Sequence, residues 1–147
     1  MGLETVIVAK SMESNIQTYK DIKTQSDAVL HFLQHLDIEM VEAILGENKT
    51  YQGLQKKVFI EKLGLAFNEF ISDGDTFLNR HEGFCNAKNC NYKYTGYRFI
   101  GNNSADYFDI LIEIENGVVI DICECSFFKC NKKVNCLENK LIEIDKL

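Results

Sequence analysis

The chain has no proline, no internal repeat and no low-complexity linker, so nothing in it marks a boundary between domains. At 147 residues it is long enough for one proper hydrophobic core and reads as a single domain. It lacks any run of about 18 apolar residues, which excludes a transmembrane helix. It also lacks an excess of positive charge. The formal net charge of −6 argues against nucleic acid and anionic membranes as partners. Met1 to Ser14 has no charged stretch followed by a full apolar one, and Val6 stands where a myristoylation signal needs Ser or Thr. The expected location is therefore cytoplasmic. The expected partner is a small molecule or a protein, with oligomerisation through a sheet as a further option. In that compartment six cysteines are thiols, metal ligands or redox groups before they are disulfides.

Catalytic signatures are missing too. There is no P-loop, no dinucleotide fingerprint, no G-x-S-x-G and no H-E-x-x-H. Asp73-Gly74-Asp75 begins like a calcium loop, but the acids that such a loop requires do not follow. These absences lean the reading away from an enzyme.

What is present, first of all, is a long hairpin from Tyr107 to Cys125. Asn116-Gly117 between two alternating runs is the strongest short hairpin signal, because a type I′ turn needs positive φ at both central residues. A two-residue turn pairs Glu115 with Val118, Ile114 with Val119, Ile112 with Asp121, Ile110 with Cys123 and Phe108 with Cys125. The last four pairs form the core face, so Asp121 is expected on that face opposite Ile112. A buried carboxylate is costly unless it is hydrogen-bonded or lines a wet pocket. A three-residue loop would exchange the faces of one strand and remove this expectation.

The rest of the chain divides by character. Residues 1–14 read as a loose arm or weak strand, 15–71 as helical, 75–125 as antiparallel sheet, and 126–147 as a cysteine-containing tail. Ser26 is expected to cap a helix with Val29, Phe32, Leu33 and Leu36 on one stripe. Asp37 is expected to cap a second, short helix that Gly46 stops, and Thr50 a third that runs to about Ile71. Strands are expected over Thr76–Glu82, within Asn91–Ile100, and along Lys140–Lys146 as an added edge. Helices first and strands second point to an α+β domain, helices packed on one face of a curved antiparallel sheet.

Three helices followed by a meander of long strands resemble the nuclear-transport-factor-like α+β cone, a relative of the cystatin-like fold, over about residues 26 to 125. Many members carry a strand pair between the second and third helices, and Glu47 to Tyr51 is the stretch available for it here. The resemblance implies a pocket between the concave sheet face and the helices, used for small-molecule binding, for isomerase or hydratase chemistry, or for nothing catalytic.

Two constellations carry candidate chemistry. The first is the cysteines. Cys85 and Cys90 are spaced C-x4-C, and Cys123, Cys125, Cys130 and Cys136 follow the hairpin. Structural zinc takes four thiolate or imidazole ligands, often as closely spaced pairs. The expected set is Cys85, Cys90, Cys125 and Cys130, with His81, Cys123 and Cys136 as alternatives. In a simple meander Cys85 lies at the turn end of the hairpin and Cys125 about 26 Å away at the other. The groups meet only if the loop after Cys85 folds back. Otherwise Cys123, Cys125, Cys130 and Cys136 form a local cluster and Cys85 and Cys90 a separate pair. In the plainest reading Cys123 and Cys125 are small core hydrophobes against Ile110 and Phe108.

The second constellation is Asp121, a pocket acid or base with walls from Tyr97, Phe99 and Phe108 and a proton donor in Tyr97 or Tyr107. The alternative is that Asp121 merely caps backbone groups. His31 and His35 have the i, i+4 spacing of metal ligands but fall opposite the apolar stripe, on a solvated face. Three functions are therefore carried forward: a non-enzymatic binding module stiffened by zinc, a small-molecule pocket around Asp121, and a thiol redox protein.

Overall fold

Helix α1 (Gln25–Gln34) starts one residue pair earlier than Ser26 suggests. Thr24 is the cap, its hydroxyl accepting the Asp27 N–H at 3.1 Å, and Ser26 sits buried in the first turn. Asp37 caps α2 (Ile38–Ile44) as expected, taking the Met40 N–H at 3.2 Å. Gly46 does not supply a left-handed stop. The helix ends at Leu45, and the buried Tyr51 hydroxyl accepts the Gly46 N–H at 3.0 Å. The computed structural model describes residues 22–87, 94–131 and 139–147. The arm expected over 1–14, and most of the helical signal before Lys23, lie outside them.

Thr50 does not cap the third helix. The chain first makes a tight strand pair, β1 (Thr50–Tyr51) and β2 (Leu54–Gln55), turned by Gln52 and Gly53 at φ 56° and 72°. Only then does α3 run, from Lys56 to Ser72. This is a strand pair between the second and third helices, a little later than Glu47–Tyr51.

Beyond α3 come β3 (Leu78–Cys85), β4 (Tyr94–Gly101), β5 (Tyr107–Glu115), β6 (Val118–Glu124) and β7 (Phe128–Cys130). They form a five-stranded antiparallel sheet in the order β6-β5-β4-β3-β7. The fold class is α+β, three helices on one curved sheet among the described residues. The helices cover the face that carries Tyr97, Phe99, Phe108, Ile110, Ile112 and Ile122, all buried. Phe99 stacks on Phe108 at 5.0 Å, and Phe70 of α3 lies 5.8 Å from the same ring. That face is filled by side chains. Among the described residues no helix is long and apolar enough to cross a membrane.

The hairpin turn is as expected, with Asn116 at φ 53° and Gly117 at φ 76°. The register holds for Glu115–Val118 and Ile114–Val119 and then slips by one. Ile120 is an extra, unpaired residue, so Glu113 faces Asp121, Ile112 faces Ile122, Leu111 faces Cys123 and Ile110 faces Glu124. A one-residue bulge moves every later side chain to the opposite face.

The outer edge of β6 is closed by two glutamines. Gln25 accepts the Val119 N–H at 2.8 Å, and Gln52 accepts the Glu124 N–H at 3.1 Å. These caps deny a second chain the unpaired groups of an edge strand.

The C-terminal stretch is not the expected edge strand. It makes one parallel bridge, Leu141 to Tyr107, then a short 3-10 helix over Ile144–Lys146. Its alternating residues Ile142 and Ile144 are buried against the helices, and Lys62 of α3 donates to the Leu147 carbonyl at 2.8 Å.

Candidate functional site

One short connection decides where the cysteines go. β6 ends at Glu124 beside β5, and Cys125 still donates to the Asp109 carbonyl at 3.2 Å. Phe128, three residues on, already pairs with Cys85 at the far edge of the sheet. In a flat sheet four strand spacings are about 19 Å, whereas three residue steps reach at most about 11 Å. The sheet must therefore curl until its two edges approach, and the concave side of that curl is the side away from the helices.

Two glycines make the curl possible. A Cβ on Gly83 would overlap the Phe128 ring and the Lys129 carbonyl oxygen, and one on Gly96 would lie 2.8 Å from the Gly83 carbonyl oxygen and 3.0 Å from the Phe128 ring. Only glycine permits backbone and ring to come this close. Phe128 then lies over both glycines. The guanidinium of Arg98 stands 5.2 Å from the Phe128 ring and 4.5 Å from the Tyr107 ring. Arg98 also makes a fork of hydrogen bonds to Asp109, 2.7 and 3.0 Å long. This buried ion pair ties β4, β5 and β7 together.

The pairing brings Cys85, Cys123 and Cys130 onto the side away from the helices. Cys123, Leu111, Gly96, Gly83 and Cys130 form one row across all five strands. Cys85 stands opposite Phe128, so Cys85 and Cys130 are diagonal neighbours on one face of the β3–β7 pair. Diagonal Cα atoms lie about 7–8 Å apart, wide for a disulfide and suitable for two thiolates sharing a tetrahedral ion. The thiols of Cys85, Cys123, Cys125 and Cys130 are each partly buried. Among the described residues no three His, Cys, Asp or Glu side chains stand together as a metal-holding group. Cys90 and Cys136 lie outside the described residues. His81 is four residues back along β3 from Cys85, about 13 Å.

Two expectations for this strand are corrected by the bulge. Cys123 does not point into the core against Ile110; it faces Leu111 on the opposite side. Asp121 does not face Ile112, and it does not share a face with Tyr97, Phe99 and Phe108. Its Oδ1 accepts the N–H of Gln52 at 3.0 Å and that of Ile122 at 2.8 Å, so it caps backbone and fastens the β1–β2 turn to β6. Neither expected proton donor serves it. Tyr97 is on the helix side, its phenol pushed upward by burial. Tyr107 is six residues from Glu113 along β5, about 20 Å from the Asp121 row. The tyrosine that does stand near Asp121 is Tyr94, opposite Glu113. Burial, then the charges of Asp121, Glu113 and Cys123, pushes it up to about 12. Its proton stays in place at neutral pH.

Other polar residues carry structural work that the sequence did not reveal. Glu124, on the helix side because of the bulge, accepts the N–H groups of Ile144 and Asp145 at 2.7 and 2.8 Å. Lys56, buried at the start of α3, donates to the Leu45 carbonyl at 2.9 Å and to Glu47 at 2.6 Å. His31 is only partly exposed, with its ring 4.8 Å from Phe32 and 4.4 Å from His35. A groove of ≈ 680 Å³ runs past Thr24, Gln25, Ile44, Gly46, Asn116 and Gly117, away from every residue considered above for chemistry. Phe84, opposite Lys129 on the β3–β7 pair, and Phe127, just before β7, are 44% and 63% exposed.

Comparison with protein-family models, with curated proteins and with solved structures finds no match to this chain.

Proposed function

We propose that the chain is a non-enzymatic binding module of a reducing compartment, stiffened by a structural zinc ion at the curled end of its sheet. The observation that carries this reading is the diagonal placement of Cys85 and Cys130 on one face of β3–β7. It sets two cysteines on neighbouring strands, on one face of a pair that is only three residues long on the β7 side. So short an edge strand gains from a cross-link. Cys90, five residues after Cys85, is the expected third ligand, and Cys125, Cys123 or Cys136 the fourth. The exposed rings of Phe84 and Phe127, at that same strand pair, are the surface that a protein partner would cover. The strand pair between α2 and α3 is in keeping with a nuclear-transport-factor-like cone, whereas the curl of the β3–β7 edge away from the helices and the filled helix-side face depart from a member with a pocket there.

The test is elemental analysis of protein purified without a histidine tag, with cysteine alkylation on the same sample. About one zinc per chain, lost together with alkylation protection in C85S and C130S, is the expected result. Metal-free protein with all thiols alkylated at equal, slow rates overturns the zinc reading. One fast-reacting thiol of lowered pKa in metal-free protein supports a redox role in its place.

A further inference from the structure

Just before β5, Asp106 is fully buried, and neither of its carboxyl oxygens has a hydrogen-bond partner among the described residues. A buried, unsatisfied carboxylate costs far too much to be left as it stands. Its surroundings show what relieves it. The side chain that faces it is the carboxyl of Asp73, at the C-terminal cap of α3, within hydrogen-bonding reach. Two carboxylates cannot bond to one another unless one carries a proton. The Ser104 hydroxyl is also near, but its single proton goes to Asp75, and it accepts the Asp106 N–H at 2.9 Å. Asp75 is itself saturated by the N–H groups of Asn103 and Ser104. From the C-terminal stretch Lys140 approaches, with its ammonium 3.6 Å from Asp73 and 3.5 Å from Glu69.

We propose that Asp106 and Asp73 share one proton, and that this acid pair, with Lys140 paired to Asp73, is a pH-sensitive latch holding the C-terminal stretch on the sheet. In the closed state Asp106 donates to the Asp73 carboxylate, which Lys140 keeps charged. The residues on either side of Asp106 hold the stretch by backbone: Asn139 donates to the Ala105 carbonyl at 2.9 Å, Tyr107 to the Lys140 carbonyl at 3.0 Å, and Ile142 to the Tyr107 carbonyl at 2.8 Å. Removing the proton leaves a buried negative charge beside a second one. The segment then opens so that water can reach Asp106. Burial and the neighbouring Asp73 both favour the protonated form of Asp106, so its carboxyl titrates above the usual range. The sign follows: the latch is closed at low pH and loosens as pH rises through that raised value.

The test is amide hydrogen exchange of Tyr107 and Ile142 in the full chain, each rate divided by its intrinsic rate at the same pH. In the wild type, protection of both amides should fall as pH rises, by up to about tenfold per pH unit above the titration of the pair. In D106N the amide donates to Asp73 without a titrating proton, so protection should be higher and flat. D73N supplies a donor from the other side and should flatten the profile as well. Equal pH slopes in wild type, D106N and D73N overturn the latch. So does recovery of protection at high pH by one bound calcium or magnesium ion per chain, which would make the pair a cation site instead.

Discussion

The Oδ1 atom of Asp121 takes the backbone N–H of Gln52 at 3.0 Å, across 69 residues of chain. That bond, with the side-chain bond from Gln52 back to Glu124, seats the β1–β2 turn on the edge of β6. Asp121 is thereby a positioning residue for the fold. D121A should destabilise by about 1–2 kcal/mol, the cost of leaving a partly buried N–H unpaired. D121N, which keeps one carbonyl acceptor, should recover most of it. Urea unfolding of the three proteins checks this. A catalytic or ligand-binding Asp121 would instead leave stability nearly untouched in both variants.

Gly83 and Gly96 make a sharper demand. G83A places a methyl group on the Phe128 ring and the Lys129 carbonyl, so β7 must move off the sheet. Overpacking of this kind costs about 1–3 kcal/mol. Under the zinc reading it should also displace Cys130 from Cys85 and lower bound zinc well below that of the wild type. G53A is the control, since nothing lies within 4 Å of a Cβ there, although its φ of +72° carries a strain of its own. Metal content and urea midpoint measured together separate the two effects.

The legible parts of the fold were those fixed by local chemistry. Asp37 capped its helix, Asn116-Gly117 made its turn, and the first two hairpin pairs came out in register. The order of helices before strands gave the class. What stayed hidden was set by tertiary contact. Ile120 is as good a strand residue as its neighbours, so no local signal announces a bulge there. That single residue moved Asp121 and Cys123 off the core face and put Glu124 on it. Gln52 and Gly53 did carry a turn signal in Gly53, but the strands they join are only two residues long. The meeting of Cys85 with the Phe128–Cys130 strand depended on the curl, which rests on Gly83 and Gly96, glycines whose need for close approach shows only once Phe128 lies on them. The helix-facing aromatics Tyr97, Phe99 and Phe108 share one face, and the helices fill the space that a pocket between them would need.

Acid should weaken the fold through His31. Burial first, then the charges of His35 and Arg80, lowers its pKa from 6.5 to about 4. The unfolded chain therefore binds a proton between pH 6.5 and 4 that the native state refuses, so stability falls as pH drops through that window and levels off below it. Asp106 acts with the opposite sign, because its raised carboxyl pKa favours the native state at low pH. The comparison that isolates His31 is wild type against H31Q, with urea midpoints taken from pH 7 to pH 4. The difference between the two should change steadily across the window, in the direction of a relative gain for H31Q as the medium becomes acidic. A constant difference would mean that the histidine is solvated, as its place opposite the apolar stripe first implied.

Glu124 supplies the last and most local prediction. Its carboxylate accepts three hydrogen bonds, from Gln52 Nε2 at 2.9 Å and from the backbones of Ile144 and Asp145. Oε1 serves Gln52 and Asp145, while Oε2 serves Ile144, so both oxygens are needed. In E124Q one of those positions becomes an NH2 group, and donor meets donor whichever way the amide turns. Loss of a charged acceptor costs about 1.5–3 kcal/mol. Amide exchange at Ile144 and Asp145 should accelerate by roughly tenfold or more in E124Q, while amides in the β3–β4 ladder keep their protection. Because Ile142 and Ile144 are buried beside α3, the loosening should also reach the Lys62 contact with Leu147. Unchanged exchange in the last turn would mean that the apolar packing of Ile142 and Ile144 holds it without Glu124, and that the bulge places this acid for some other purpose.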